Sequence, residues 1–351
     1  MTDLLRLVTK TVAALLIAGA ALVAACTRAT TSRAQVVTEA RVSMGSALRV
    51  SAWTSDEPHA RTAFDAVFRE FDRLESLMTV WRPDSEISRL NAAAGDRPVP
   101  MHPEVLDVLR TAHQVSEWTG GKFDVTFAAL SDLWRFDQDQ DGRVPDPGDV
   151  RRRLPLISYR DLVLDDGADT AFLRRKGMRV NLGGIGKGYA IGRAADVLRA
   201  RGLRDFMIQS GGDLYVAGLK DGRPWRLGIA DPRDPDRRTF ATIDLTDSTF
   251  STSGDYERAF IKNGRRYHHI IDPATGEPAN LCRSVTIVAD SPVVSDGLST
   301  GVFILGPSAG MALVERLPHI GAVIVTSRNE VLVSSRLKGR LTLVAPPTDG
   351  P

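Results

Sequence analysis

A chain of 351 residues with 43% apolar and 25% charged side chains has the composition of a soluble globular protein, with length for one large core or two ordinary ones. Its 45 basic and 43 acidic residues leave a net charge of +2. The basic residues are scattered, with no run longer than three, such as Arg151 to Arg153, so nothing reads as the clustered cationic face that nucleic-acid binding needs.

Arg6 and Lys10 precede the apolar run TVAALLIAGAALVAAC, a charged segment followed by a short apolar one. This reads as an export leader over residues 1–25. Small residues before Cys26 resemble a bacterial lipobox, the alternative being a plain leader or anchor helix with an incidental cysteine. On the lipobox reading Cys26 carries lipid, residues 26–40 form a polar tether, and the protein sits outside the cytoplasmic membrane on acyl chains. Cys282 is then the only free thiol and no intramolecular disulfide forms.

RVSMGSALRVSAW (41–53) predicts a strand pair or one bent strand. A helix follows, with Pro58 in its first turn and Phe64, Val67, Phe68, Phe71, Leu74 and Met78 at helical spacing. A second starts near Pro103, lines up Val105, Leu106, Leu109, Ala112, Val115 and Trp118, and stops at Gly120-Gly121. A third spans 187–201, ended by Gly202. Short strands follow from 205, then helices near 294–305 and 308–316 and a hairpin around Arg328-Asn329. Helices and antiparallel-looking strands mix without strict alternation, which predicts an α+β domain over 41–345 with a tail at 346–351.

Several segments carry candidate chemistry. VNLGGIGKGYA (180–190) has a strand–glycine–helix layout but matches neither common phosphate loop. A Walker A loop needs Gly at 181 and Ser or Thr at 188, where the chain has Asn181 and Gly188; a dinucleotide fingerprint needs Gly where Tyr189 stands. Its glycines still allow close backbone approach, and the helix start offers a positive end to phosphate. In VVSDGLSTG, Asp296 and Thr300 fall one turn apart on one helix face, which suits either a hard cation such as Mg2+ or a simple N-cap. In YHHIIDPATGEP, strand alternation sends His268 and His269 to opposite faces, so one of them can face a site or both can be structural. DQDQDGRVPDPG starts like a calcium loop at Asp137, Asp139, Asp141 and Gly142, but Gly148 stands where a bidentate Glu belongs, and a solvated acidic turn explains it equally. SGGD and TFSTSGDY are small-polar loops, weak alone. HExxH and a zinc-type cysteine pair are absent.

Taken in order, Met44-Gly45-Ser46, MTVWRPDSEISRLN, TGGKFDVTFAALSDLW, VNLGGIGKGYA, SGGDLYVAG, TFSTSGDYERAF, HHIIDPATGEP and SDGLSTG resemble the FAD:protein FMN transferase (ApbE) family from about residue 40 to 345. The resemblance implies a modified T-fold-like α+β architecture and an Mg2+-dependent enzyme. Such an enzyme cleaves FAD and joins FMN through a phosphoester to a Ser or Thr of an exported or membrane flavoprotein, releasing AMP. It implies flavin contacts at Met44, Trp81 (Tyr in many members), Lys122, Phe123, Asp124, Asn181, Lys187 and Ile271. It implies Mg2+ ligands at Asp296, Thr300 and the Gly184 carbonyl, with His269 as the acid/base near the transferred phosphoryl group. Two departures stand out: Asn181 where members often carry Asp, and Ser299 where some carry a second carboxylate. Two further readings stay open: an FAD pyrophosphatase giving FMN and AMP, and a lipid-anchored flavin-binding protein without catalysis.

Overall fold

The structure is a computed structural model that describes residues 33–137 and 139–350; Cys26 and the leader lie outside the described residues. Strands β1 (Gln35–Ser43) and β2 (Ser46–Thr54) form an antiparallel hairpin and lead into α1 (Glu57–Met78). Then come α2 (Glu86–Ala92), β3 (Val99–Pro100), α3 (Pro103–Trp118), α4 (Pro147–Arg153), β4 (Leu162–Asp165), β5 (Thr170–Leu173) and α5 (Gly186–Ala200). Six strands follow: β6 (Phe206–Ser210), β7 (Asp213–Ala217), β8 (Trp225–Asp231), β9 (Asp234–Leu245), β10 (Ser248–Gly254) and β11 (Ala259–Lys262). The chain closes with β12 (Arg265–His268), β13 (Cys282–Ala289), α6 (Pro292–Leu305), α7 (Pro307–Arg316), β14 (Gly321–Thr326), β15 (Val331–Val333) and β16 (Leu341–Leu343).

The central element is an eight-stranded sheet in the order β1-β2-β6-β7-β10-β13-β14-β15, whose paired strands all run antiparallel. Every residue of β13 is buried, so both faces of the sheet are covered there. Alternation divides the strand between two cores. Val285 and Ile287 point to the helical side with Phe64, Leu106, Ile191 and Phe303, while Val288 joins Trp225, Ile229, Phe240 and Ile243 of a three-stranded sheet, β16-β9-β8. The result is three layers: helices, large sheet, small sheet.

Local signals explain the helices that matter. Asp56 caps α1 by accepting from the His59 N–H at 3.0 Å, and Pro58 occupies the first turn where no amide partner is required. Phe64, Val67, Phe71 and Leu74 are fully buried, each contributing on the order of 1.5–3 kcal/mol of apolar transfer. Among the described residues no helix is long and apolar enough to cross a membrane.

Two boundaries differ from the sequence reading. Residues 35–40, assigned to the tether, are the first part of β1, because Val37 is buried against the core while its neighbours face out. The tail beyond 345 is tied down: Asn329 Nδ2 donates to the Pro347 carbonyl at 2.8 Å, and Thr348 N–H and hydroxyl donate to Asp231 at 2.8 and 2.7 Å. The hairpin around Arg328-Asn329 forms between β14 and β15, with Asn329 at φ +67°.

Candidate active site

A cleft of about 390 Å³ opens where α5, α6, β10 and the 268–273 segment converge. Its floor comes from two segments of VNLGGIGKGYA and SDGLSTG. α5 crosses α6 so closely that Gly188 has no room for a side chain: a Cβ there would lie 2.3 Å from the Pro292 carbonyl oxygen and 2.7 Å from Asp296 Cβ. In return the Gly188 N–H donates to Asp296 Oδ2 at 2.8 Å, across 108 residues of sequence. The Gly188 amide, in the first turn of α5, is therefore committed to a protein carboxylate. Gly188→Ala is expected to destabilise the fold by about 1–3 kcal/mol, since backbone on both sides must shift. A thermal melt superimposable on the parent's would contradict this close approach.

Lys187 and Asp296 meet at the cleft floor with a third residue the sequence reading left out. Asp213, at the start of β7, is buried and accepts from Lys187 Nζ at 2.7 Å, while Asp296 Oδ1 lies 3.9 Å from the same ammonium. Burial disfavours the lysine's charge, but the two carboxylates outweigh it and hold the ammonium firmly protonated. Burial first, and then Asp213, push the Asp296 carboxyl well above the usual carboxylate range, with Lys187 and the Gly188 amide opposing. Glu257 and Arg258 line the same cleft and add one charge of each sign. The floor thus sets two buried carboxyl groups against one ammonium, an excess of acidic groups that an added cation would relieve.

That excess is the test of whether a divalent cation fits. Thr300 sits one turn beyond Asp296 on α6, and a Cβ built on Gly184 would lie 3.5 Å from Thr300 Oγ1, so the Gly184 backbone and the threonine hydroxyl are adjacent. A carboxylate, a hydroxyl and a backbone carbonyl are hard oxygen donors, suited to Mg2+, which keeps part of its shell for water and phosphate. Among the described residues no cluster of three or more His, Cys, Asp or Glu forms a metal site, so the fit rests on this mixed donor set.

The other expected residues fall as follows. His269 lines the cleft, and its Nδ1 lies 3.1 Å from the Glu257 carbonyl. A carbonyl only accepts, so the neutral ring carries its proton on Nδ1 and leaves a lone pair on Nε2. Burial and the nearby Arg258 lower its pKa to about 3, keeping it neutral. His268 faces the opposite way, buried at the end of β12 with Nε2 2.7 Å from the Ala279 carbonyl. Trp81 lines the mouth and is 53% exposed. Lys122 and Phe123 follow the Gly120-Gly121 stop of α3; Lys122 Nζ pairs with both oxygens of Asp272 at 2.9 and 2.8 Å, and Phe123 is buried. Asp124 also borders the cleft, but its carboxylate accepts from the Thr126 amide and hydroxyl and the Tyr159 amide at 2.8, 2.6 and 2.7 Å. Its side chain holds the loop. Asn181 and Ile271 line the cleft, Asn181 Oδ1 accepting from Gly183 N–H at 2.8 Å.

Met44 differs. It lies at the β1–β2 turn with φ +49°, its N–H donating to Glu75 at 3.0 Å and its side chain packed on the core; Ser46, two residues on, lines the cleft instead. The calcium-like loop also differs from a cation site. Asp137 pairs with Arg258 and Asp141 with Arg135, so those carboxylates answer arginines.

Residues 44–324 match the ApbE family. A FAD:protein FMN transferase of Klebsiella pneumoniae (strain 342) is 32% identical over 302 residues, covering 86% of this chain and 92% of that protein. One of Treponema pallidum (strain Nichols) is 30% identical over 331 residues, covering 89% and 91%. Among solved structures, the ApbE protein of Thermotoga maritima superposes with a TM-score of 0.80 at 29% identity, covering 87% of this chain and 99% of that one. The flavin transferase ApbE of Vibrio cholerae gives 0.78 at 29% identity, covering 88% and 99%.

Proposed function

The chain belongs to the ApbE family, and from that membership and the cleft we propose that it is an Mg2+-dependent FAD:protein FMN transferase. The observation that carries the reading is the joining of Lys187, Asp296 and Thr300 with His269 in one cleft large enough for part of a dinucleotide.

Phosphoryl transfer is mainly positioning and charge neutralisation. Asp296, Thr300 and the Gly184 carbonyl would hold Mg2+, whose contribution when bound is to neutralise charge on the diphosphate and the departing AMP. Lys187, kept charged by Asp213, places a fixed ammonium at the floor beside the diphosphate. Trp81 and Phe123 offer aromatic faces for the flavin or adenine ring. The acceptor's Ser or Thr oxygen forms a bond to the FMN phosphorus while the bond from that phosphorus to the bridging oxygen breaks, and AMP leaves with that oxygen. The hydroxyl proton passes to His269 Nε2, the nitrogen left with a lone pair by the Glu257 contact. The leader-like run and Cys26 support an exported, lipid-anchored enzyme, whose acceptor is a flavoprotein on the same side of the membrane.

The competing outcomes separate by product. With FAD, Mg2+ and an acceptor carrying a Ser/Thr flavinylation site, chromatography should show AMP released without an equal amount of free FMN. Equal AMP and free FMN, with or without acceptor, would make the protein a pyrophosphatase, and intact bound FAD would make it a carrier.

A further inference from the structure

The TFSTSGDY segment gains a role from the way β10 lies against α6. Ser251 and Ser253 sit two apart on one strand face, about 6.6 Å in an extended chain. Ser295 and Ser299 sit four apart on the helix, about 6 Å along its axis. The two spacings nearly match, and the hydroxyls pair: Ser251 Oγ with Ser295 Oγ at 2.7 Å and Ser253 Oγ with Ser299 Oγ at 2.8 Å. Ser253 Oγ also lies 3.2 Å from Thr300 Oγ1.

The direction of this second chain follows from its end. Ser299 Oγ lies 2.8 Å from the Asp296 carbonyl oxygen, which can only accept, so the single Ser299 proton goes there. Ser299 must then accept from Ser253, and Ser253, its own proton spent, must accept from Thr300. The Thr300 proton is thereby drawn toward β10, and the lone pairs of Thr300 Oγ1 stay available to the cleft.

We infer that Ser253 is a positioning residue for the cation site: through the relay Thr300 to Ser253 to Ser299 to the Asp296 carbonyl, it fixes the Thr300 hydroxyl as a proton donor to protein and hence as a lone-pair donor to a divalent cation. This rests on the cation ligands proposed above. It also gives Ser299 a function of its own, as the acceptor that sets the relay's direction.

The test uses Mn2+ as the probe, titrated into the purified full-length chain and followed by electron paramagnetic resonance, with thermal melts alongside. S253A is expected to weaken Mn2+ binding about tenfold, as removal of a ligand's hydrogen-bond partner commonly does. S253T, which restores a hydroxyl, should bind within about twofold of the parent. Parent-like binding by S253A, or binding by S253T as weak as by S253A, overturns the relay. T300A separates this from the reading it rests on. If T300A loses affinity while S253A does not, only the relay fails; if T300A also binds as the parent does, the ligand assignment fails with it. Should S253A not fold, S299A breaks the relay from the helix side and is expected to weaken binding in the same direction, unchanged affinity again overturning it.

Discussion

Asp296→Asn should slow flavin transfer about a thousandfold while leaving the fold in place. A thousandfold corresponds to about 4 kcal/mol of transition-state stabilisation, the scale expected when a metal ion that neutralises phosphate charge loses its only anionic protein ligand. Asparagine is the informative replacement because its amide oxygen can still accept from the Gly188 N–H that Asp296 holds at 2.8 Å. It also removes one of two buried carboxylates that raise each other's energy across the Lys187 ammonium, so no loss of stability follows from the charge itself. The rate is to be measured at saturating Mg2+ and FAD, with the melt as control. A parent-like rate with an unchanged melt would remove Asp296 from the cation site.

His269→Ala is expected to lower kcat by about a hundredfold to ten-thousandfold, the usual range for a positioned acid–base group. The ring's environment adds a second, independent expectation. Its folded pKa is depressed to about 3, so the neutral form that accepts a proton persists on lowering the pH and is lost only as the pH falls through that value. The pH profile of kcat/KM should therefore show no acidic limb near 6.5, where an exposed histidine would titrate. Such a limb in the parent, absent in the alanine variant, would place His269 in a wetter and less cationic setting than the Arg258 side of the cleft provides.

Local pattern carried much of the architecture. The buried faces of α1 and α3 are written at helical spacing, their ends are marked by Pro58, Pro103 and Gly120-Gly121, and the β14–β15 turn is marked by Asn329. The two halves of the cleft floor were legible for the same reason: Asp296 and Thr300 share a helix face whatever surrounds them, and the glycines around Gly188 signal close approach. What escaped was set by long-range register. Asp213 belongs to a small-polar turn and becomes the partner of Lys187 only when β7 is laid beside α5. The serine pairs depend on a strand repeat meeting a helix repeat, which neither segment reveals alone. The start of β1 was hidden because only Val37 of its first residues is buried, so the segment looks as polar as a tether. Met44 joins a motif by position in the chain, yet its turn packs its half-buried side chain against the core and aims its amide at Glu75.

The central claim, covalent transfer of FMN to a protein hydroxyl, is tested most directly by the intact mass of the acceptor. After incubation with the purified chain, FAD and Mg2+, the acceptor should gain the mass of FMN less one water, on a fragment containing its Ser or Thr site. That gain should vanish when Mg2+ is chelated or Asn replaces Asp296. An acceptor of unchanged mass, with FAD consumed or intact, would contradict the transferase account.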